Sequence, residues 1–108
     1  MFFIYIVTNK RNGTLYTGHT DDLGQRVLEH KDKADTGFSA KYGCDLLVWF
    51  ETHETRDGAF RRERQIKEWQ RGWKLELIEA LNPEWNDLHA GLTTDDVYSD
   101  ERRYEIET

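Results

Sequence analysis

The stretch FFIYIVTNKRNGTLYTG, residues 2–18, decides the fold of this chain. Residues 2–8 are apolar and rich in β-formers, which predicts a first strand. The following turn segment ends in Asn12-Gly13, a dipeptide typical of tight hairpins. Residues 14–18 then predict a second strand, so the chain is expected to begin with a β-hairpin.

The segment after the hairpin predicts a helix, a loop and a third strand. Thr20 and Asp21 are suitable N-cap residues for a helix over 21–33. Residues 34–44 carry two glycines and predict mainly a loop. Residues 45–51 contain the unbroken apolar run LLVWF, which predicts a strand buried on both faces.

The remaining part of the folded region predicts helices. One helix is expected over 55–70, ended by Gly72, and a second over 73–81, stopped at Asn82-Pro83 because proline disfavours helix at the residue before it. Residues 85–92 predict one or two last helical turns. The order ββαβαα predicts an α+β domain with a small three-stranded sheet flanked by helices.

Length and composition indicate one domain without covalent staples. The 108 residues suffice for a single core, to which aromatic side chains are expected to contribute much of the volume: Phe2, Phe3, Phe50, Phe60 and the four tryptophans. Cys44 is the single cysteine, which excludes an internal disulfide and favours a core or loop position over a nucleophile. The chain shows neither a signal peptide nor an apolar run of membrane-spanning length, which predicts a cytoplasmic protein.

Charge is distributed unevenly along the chain. Residues 93–108 hold six acidic and two basic side chains, so they carry −4 of the net −6. We therefore expect a domain over residues 1–92 and a separate acidic tail over 93–108. The segment 61–74 has six basic residues against two acidic ones. It predicts either an ordinary solvated helix face or a nucleic-acid-binding face, for which the candidates are Lys41, Arg61, Arg62, Arg64, Lys67, Arg71 and Lys74.

Glu63 is placed unusually for a carboxylate. On the helix predicted over 55–70, Ala59 and Ile66 form an apolar face flanked by Phe60 and Trp69, and Glu63 falls in its middle. A carboxylate is rarely buried unless it is paired or bound to a metal. Two interpretations follow: an edge residue paired with an arginine, or a metal ligand at the floor of a cleft.

Two further pairs of polar side chains are candidates for a site. Arg26 and His30 lie one helical turn apart beside the apolar stripe of Leu23 and Val27. They either form a solvated face with little part in core packing, or grip a phosphate. Tyr5 and Tyr16 lie on the two hairpin strands, where tyrosine is either a β-former in the core or a cleft residue.

Taken together, these residues resemble the GIY-YIG nuclease family, particularly its small stand-alone bacterial members. Phe3-Ile4-Tyr5 is similar to the first motif and Tyr16-Thr17-Gly18 to the second, with Arg26, His30 and Glu63 following in order. The resemblance covers residues 1–88. Phe3 replaces the glycine of the first motif, and Thr17 the isoleucine of the second. Leu75 stands where many family nucleases have an asparagine, for which Asn82 and Asn86 are candidate substitutes.

The resemblance implies a metal-dependent endonuclease of low sequence specificity, with DNA as the favoured nucleic acid. Glu63 is then the ligand of one Mg²⁺ or Mn²⁺ ion, because Mg²⁺ keeps most of its waters and takes few carboxylates. Arg26 would neutralise the attacked phosphate, and Tyr5 or Tyr16, with His30, would orient or deprotonate the water.

Other functions and partners remain open from the sequence. The same fold could serve as a catalytically inactive nucleic-acid-binding module, or as a protein-interaction module whose tail docks a partner. An endonuclease without a targeting domain would need either low specificity or a protein partner, and a homodimer is left open. The family resemblance does not choose among DNA repair, recombination and RNA turnover.

Overall fold

The computed structural model describes residues 1–32 and 37–93, which form a three-stranded antiparallel sheet flanked by helices. The strands are β1 (Phe2–Thr8), β2 (Leu15–Thr20) and β3 (Leu46–His53), in the order β2-β1-β3. The helices are α1 (Leu23–Lys31), α2 (Phe38–Tyr42), α3 (Arg56–Lys67) and α4 (Arg71–Leu81), followed by a 3-10 helix at Leu88–Thr93. The α+β class and the three-stranded sheet predicted from the sequence are confirmed.

The central strand β1 separates two hydrophobic clusters. Phe3, Tyr5 and Val7 face one side of the sheet, where they pack with residues of α1. Ile4 and Ile6 face the other side and pack with residues of α3 and α4. Because neighbouring residues of a strand point to opposite faces, this alternation fixes which helix covers which side.

Strand β3 is buried on both faces, as predicted. Leu47 packs into the cluster on the α1 side, together with the buried Cys44, whereas Val48 packs into the cluster on the α3 side. Two of the aromatic residues expected to contribute core volume are instead exposed. Phe60 is 42% exposed and Trp73 is 53% exposed.

The second strand and the first helix differ from the predicted boundaries. Strand β2 continues to Thr20, which pairs with Phe3, two residues beyond the predicted end at Gly18. Helix α1 is capped by Asp22 rather than by Thr20 or Asp21, because the Asp22 carboxylate accepts a 3.2 Å hydrogen bond from the Gln25 amide. Thr55 caps α3 as predicted.

Two predictions based on glycine positions are wrong. The short helix α2 lies within the predicted loop 34–44, and Gly43 follows it with a φ of 68°, a left-handed conformation that glycine adopts readily at a helix end. Gly72 does not separate the last two helices. It lies in the first turn of α4, and the break falls at residues 68–70.

The acidic tail falls almost wholly outside the described residues. The structure describes nothing beyond Thr93, so the boundary between a domain over 1–92 and a tail over 93–108 stays a prediction. Within the described ranges, every helix is too short or too polar to cross a membrane.

Candidate active site

The side chain of Tyr5 lies over Gly18 of β2, the strand at one edge of the sheet. Tyr5 and Gly18 are directly paired across β1 and β2, and the buried Tyr5 ring lies against the glycine. A Cβ atom at position 18 would lie only 2.6 Å from the Tyr5 hydroxyl. The glycine is therefore required by the close approach of this hydroxyl, not by an unusual backbone angle.

Gly18→Ala is expected to destabilise the fold by about 1–3 kcal/mol, because a fully buried tyrosine would have to shift to admit the methyl group. Thermal melts would measure the loss. Gly72→Ala is the matched control, since nothing lies within 4 Å of a Cβ built there, and alanine favours helix more than glycine. If both variants melt at the same temperature, the steric role of Gly18 is wrong.

A hydrogen-bond network joins Tyr5 to both candidate residues of α1. The Tyr5 hydroxyl lies 2.9 Å from Nε2 of His30, and Nε of Arg26 donates to the same hydroxyl over 3.3 Å. Because a guanidinium can only donate, the Tyr5 oxygen accepts from Arg26, and its own proton can be donated to His30 in the tautomer that leaves Nε2 unprotonated. Burial raises the pKa of Tyr5 well above its ordinary value, against the opposing effect of Arg26, so the phenol stays protonated at neutral pH.

Tyr16 completes this group on the outer strand. Its ring centre lies 6.4 Å from that of Tyr5 and 5.4 Å from that of His30. The ring is half-buried. The structure thus brings together four of the five predicted catalytic residues, Tyr5, Tyr16, Arg26 and His30, as one contiguous cluster.

His30 differs from its expected environment. The sequence placed it beside the apolar stripe with little part in packing, but it is only 2% exposed. Its ring packs edge-on against Tyr5 at 5.5 Å. The expectation is wrong because the buried Tyr5 hydroxyl supplies the polar partner that lets an imidazole enter the core.

Glu63 is buried on α3 with a cation beside it. The residue is 8% exposed, and its Oε2 atom accepts a 2.6 Å hydrogen bond from Nζ of Lys67. Its Oε1 atom contacts Nδ1 of His19. Burial alone would raise the pKa of Glu63, but hydrogen bonds from Lys67 and His19 outweigh it and leave the pKa lowered. Glu63 is therefore an ionised, buried carboxylate, and its partners are a lysine and a histidine instead of the arginine considered above.

Sequence reasoning missed His19. The strand was expected to end at Gly18, whereas one more step along the pleat places His19 opposite Ile4, on the face that α3 covers. Its ring packs edge-on against Phe60 at 5.7 Å. The alternation of the strand, continued past Gly18, is the signal that would have placed this side chain toward the helix.

Helix α3 follows the β2 edge, so the Glu63 side and the tyrosine side meet there. Beyond the His19–Glu63 contact, Nζ of Lys67 lies 5.8 Å from the Tyr16 ring centre. Farther along, Nη2 of Arg71 donates to the carbonyls of Asn12 and Gly13 at 2.7 Å. The negative charge of Glu63 also contributes, after burial, to the raised pKa of Tyr5. All five predicted catalytic residues therefore lie around one edge of the sheet, which we call the β2 edge.

The side chains at the β2 edge fit a magnesium or manganese ion. Glu63 is ionised and lines a surface depression of about 340 Å³. Within residues 1–32 and 37–93, no three His, Cys, Asp or Glu side chains are grouped as a metal cage. A single buried, ionised carboxylate at the wall of a depression suits an ion that keeps its waters and shares oxygens with a substrate phosphate.

The seven predicted nucleic-acid-binding residues do not form one face. Lys67, Arg71 and Lys74 are neighbours, since the pKa of Lys74 is lowered by burial and then by the charges of the other two. Arg64 stacks on Phe60 and lines the depression beside Glu63. The other three point elsewhere, namely Arg61 to Asp57, Arg62 to Glu51 and Trp69, and Lys41 to Tyr42 on α2.

Neither candidate asparagine reaches the β2 edge. Asn82 is buried and donates to the carbonyls of Val48 and Asn86 at 3.0 and 2.8 Å, which holds it on the β3 side of the sheet. The backbone N–H of Asn86 in turn donates to Oδ1 of Asn82. These hydrogen bonds stabilise the turn that follows α4. Leu75 packs against the hydrophobic cluster on the α3 side of the sheet.

Comparisons with known proteins agree with this architecture. A model of the GIY-YIG catalytic domain matches residues 1–76. A UPF0213 protein of Staphylococcus epidermidis is 35% identical over 77 residues, which cover 71% of this chain and 93% of the relative. One of Staphylococcus saprophyticus is 36% identical over 76 residues, covering 70% and 92%.

The fold is also similar to that of a solved structure. The solution NMR structure of the UPF0213 protein of Bacillus halodurans superposes with a TM-score of 0.50 at 24% identity, over 89% of this chain and 97% of that one. The order of elements, the tyrosine pair at the β2 edge and the match over residues 1–76 lead to the same conclusion. The chain belongs to the GIY-YIG family.

Proposed function

We propose that this protein is an endonuclease that hydrolyses phosphodiester bonds in nucleic acid, with DNA as the favoured substrate and one divalent metal ion as cofactor. Membership of a nuclease family supports the reaction class. The observation that carries the proposal is the ionised, buried Glu63 at the same sheet edge as the cluster of Tyr5, Arg26 and His30.

The β2 edge supplies groups suited to hydrolysing a phosphodiester, which needs an activated water and neutralised phosphoryl oxygens. Glu63 would hold the Mg²⁺ or Mn²⁺ ion, with His19 keeping its carboxylate oriented. When bound, the ion supplies positive charge to the phosphoryl oxygens and acidifies a coordinated water. Arg26 would neutralise the attacked phosphate through charge-assisted hydrogen bonds.

The Tyr5–His30 pair accounts for the movement of the proton from water. Because burial raises the pKa of Tyr5, the phenol stays protonated at neutral pH, and Tyr5 does not act as a tyrosinate base. In the His30 tautomer that leaves Nε2 unprotonated, the water proton would instead pass to the Tyr5 oxygen as the Tyr5 proton passes to that nitrogen, 2.9 Å away. Tyr16 borders the same space and orients the water or the leaving group.

Nucleic-acid backbone would lie along the β2 edge. Lys67, Arg71 and Lys74 continue the site toward the hairpin turn, and cations in such a row neutralise successive phosphates. These contacts carry no base information, so low sequence specificity or a targeting protein partner follows from this assignment.

Incubation of the purified protein with supercoiled plasmid tests the proposed function. Conversion to nicked and linear DNA in Mg²⁺ or Mn²⁺, and none in EDTA, is expected. Labelled single-stranded DNA and RNA should be included as separate substrates. Binding without cleavage of any of them, in either metal, would favour the inactive nucleic-acid-binding module over the enzyme.

The acidic tail is predicted to weaken nucleic-acid binding. A truncation ending at Leu92 removes −4 of charge and should bind DNA more tightly at low salt, because exposed charges repel phosphates over roughly a Debye length, about 8–10 Å near physiological salt. The gain should fade as salt rises. Affinity at two salt concentrations and a thermal melt measure it.

The rival outcome for the truncation is a packing role of the tail. In that case Val97, Tyr98, Tyr104 and Ile106 cover apolar surface, the truncated protein melts earlier, and its affinity is unchanged or weaker. Unchanged affinity at low salt would contradict the electrostatic effect.

A further inference from the structure

Lys67 lies in the gap between the two halves of the candidate site. Its ammonium is 2.6 Å from Oε2 of Glu63 on one side and 5.8 Å from the Tyr16 ring centre on the other. The Lys67 side chain is 47% exposed, whereas that of Glu63 is 10% exposed. A half-exposed cation thus covers a buried carboxylate from the solvent side.

Both oxygens of Glu63 are engaged in this arrangement. His19 contacts Oε1 and Lys67 holds Oε2. A divalent ion needs at least one of these oxygens, and an ammonium on the same oxygen is disfavoured because the two cations repel each other. The departure of one of the two partners relieves this repulsion when the ion binds.

Lys67 is the partner that can leave. Its charge is at the end of a flexible four-carbon chain, and its removal from Glu63 is compensated by the arriving ion. The imidazole of His19 is held against Phe60, and a hydrogen bond to a metal-bound carboxylate is the usual way in which such a ligand is kept oriented.

The surroundings also provide a destination for the released ammonium. Lys67, Arg71 and Lys74 form a group of neighbouring cations, and that group is most stable when a polyanion lies on it. Resting on the proposed function, we propose that Lys67 is an exchangeable cation, which occupies the place of the metal ion on Glu63 until the ion binds and then moves to a phosphate of the nucleic acid.

The displacement of Lys67 by the metal ion is tested by binding of Mn²⁺ to the full chain without nucleic acid. The readout is the electron paramagnetic resonance signal of free Mn²⁺. Lys67→Met should bind Mn²⁺ about 3- to 5-fold more tightly than the parent, because no ammonium has to be displaced. Lys74→Met is the matched control. It removes the same charge from the same group without touching Glu63, and should change the affinity less than about twofold.

The movement of Lys67 to a phosphate predicts that its contribution to DNA affinity depends on the metal ion. With a duplex that gels show to remain uncut in Mn²⁺ during the titration, Lys67→Met should weaken binding and reduce the slope of log affinity against log salt by about one. Without a divalent ion the slope should be unchanged, because Lys67 then stays on Glu63.

Each outcome separates this inference from the proposed function. If Glu63→Gln binds Mn²⁺ as well as the parent, the metal assignment fails and the exchange fails with it. If Glu63→Gln loses binding but Lys67→Met does not gain it, only the exchange is overturned. Equal gains in Lys67→Met and Lys74→Met would also overturn it, since they indicate a general field effect. Lys67→Gln serves as a second variant that lacks the ammonium, and melting curves of all variants check that they are folded.

Discussion

Glu63→Gln is expected to lower the rate of cleavage at least about 100-fold, the scale at which a group that stabilises the transition-state charge is felt. The swap keeps the shape of the side chain and removes the charge that would hold the metal ion. Because Lys67 is nearly half exposed, its ammonium can return to water, and the melting temperature should change little. Single-turnover rates at saturating Mg²⁺, with thermal melts of the same samples, measure both effects.

Glu51→Gln provides the matched control for this variant. Glu51 is also a partly buried carboxylate with a histidine and a cation beside it, His53 at 2.7 Å and Arg62 at 3.1 Å, but it lies on β3 at the other edge of the sheet. Its loss should leave cleavage near the parental rate. A Glu63→Gln protein that cuts as fast as the parent would disprove the metal assignment.

Arg26→Ala is expected to lower cleavage about 100-fold with only a small loss of stability. The Arg26 side chain is 26% exposed and pairs with Glu29 at 2.8 Å, an exposed pair of a kind that contributes about 0–1 kcal/mol. Arg26→Lys should recover part of the rate, because lysine restores the charge without the planar fork of donors. A large drop in melting temperature with normal activity would make Arg26 a structural residue.

His30 is not expected to behave in the same way as Arg26. Because His30 is buried and hydrogen-bonded to Tyr5, His30→Ala leaves a cavity and removes one of the hydrogen-bond partners of the Tyr5 hydroxyl. The lost hydrogen bond costs about 0.5–1.5 kcal/mol, and the cavity adds to that cost. Lower stability and lower activity together are the expected result, so His30→Ala, unlike Arg26→Ala, does not separate catalysis from folding.

The local patterns of the sequence predicted the parts of the fold that depend on neighbouring residues. The hairpin around Asn12-Gly13, the cap at Thr55 and the buried run of β3 are such features. The boundaries at Gly18 and Gly72 were wrong because pairing with β1 and the continuation of α4 outweigh the local preference of a glycine.

The candidate site needed contacts that are distant in sequence. The helical period placed Glu63 on a buried face, but an arginine was considered as its partner and Lys67 was assigned to a nucleic-acid-binding face, although the i+4 spacing brings Lys67 next to Glu63. His19 is 44 residues from Glu63, and only the sheet register and the path of α3 bring the two together. Burial of His30 likewise depended on the Tyr5 hydroxyl, 25 residues earlier.

The most direct test of the one-metal nuclease assignment is the initial rate of cleavage of a labelled DNA as free Mg²⁺ is varied, with Mn²⁺ in parallel. Among the described residues, Glu63 is the buried, ionised carboxylate at the β2 edge, so the rate should rise hyperbolically with a Hill coefficient of about one and vanish in EDTA. Cleavage that persists in EDTA, or a rate that rises with the square of the metal concentration, would contradict the assignment.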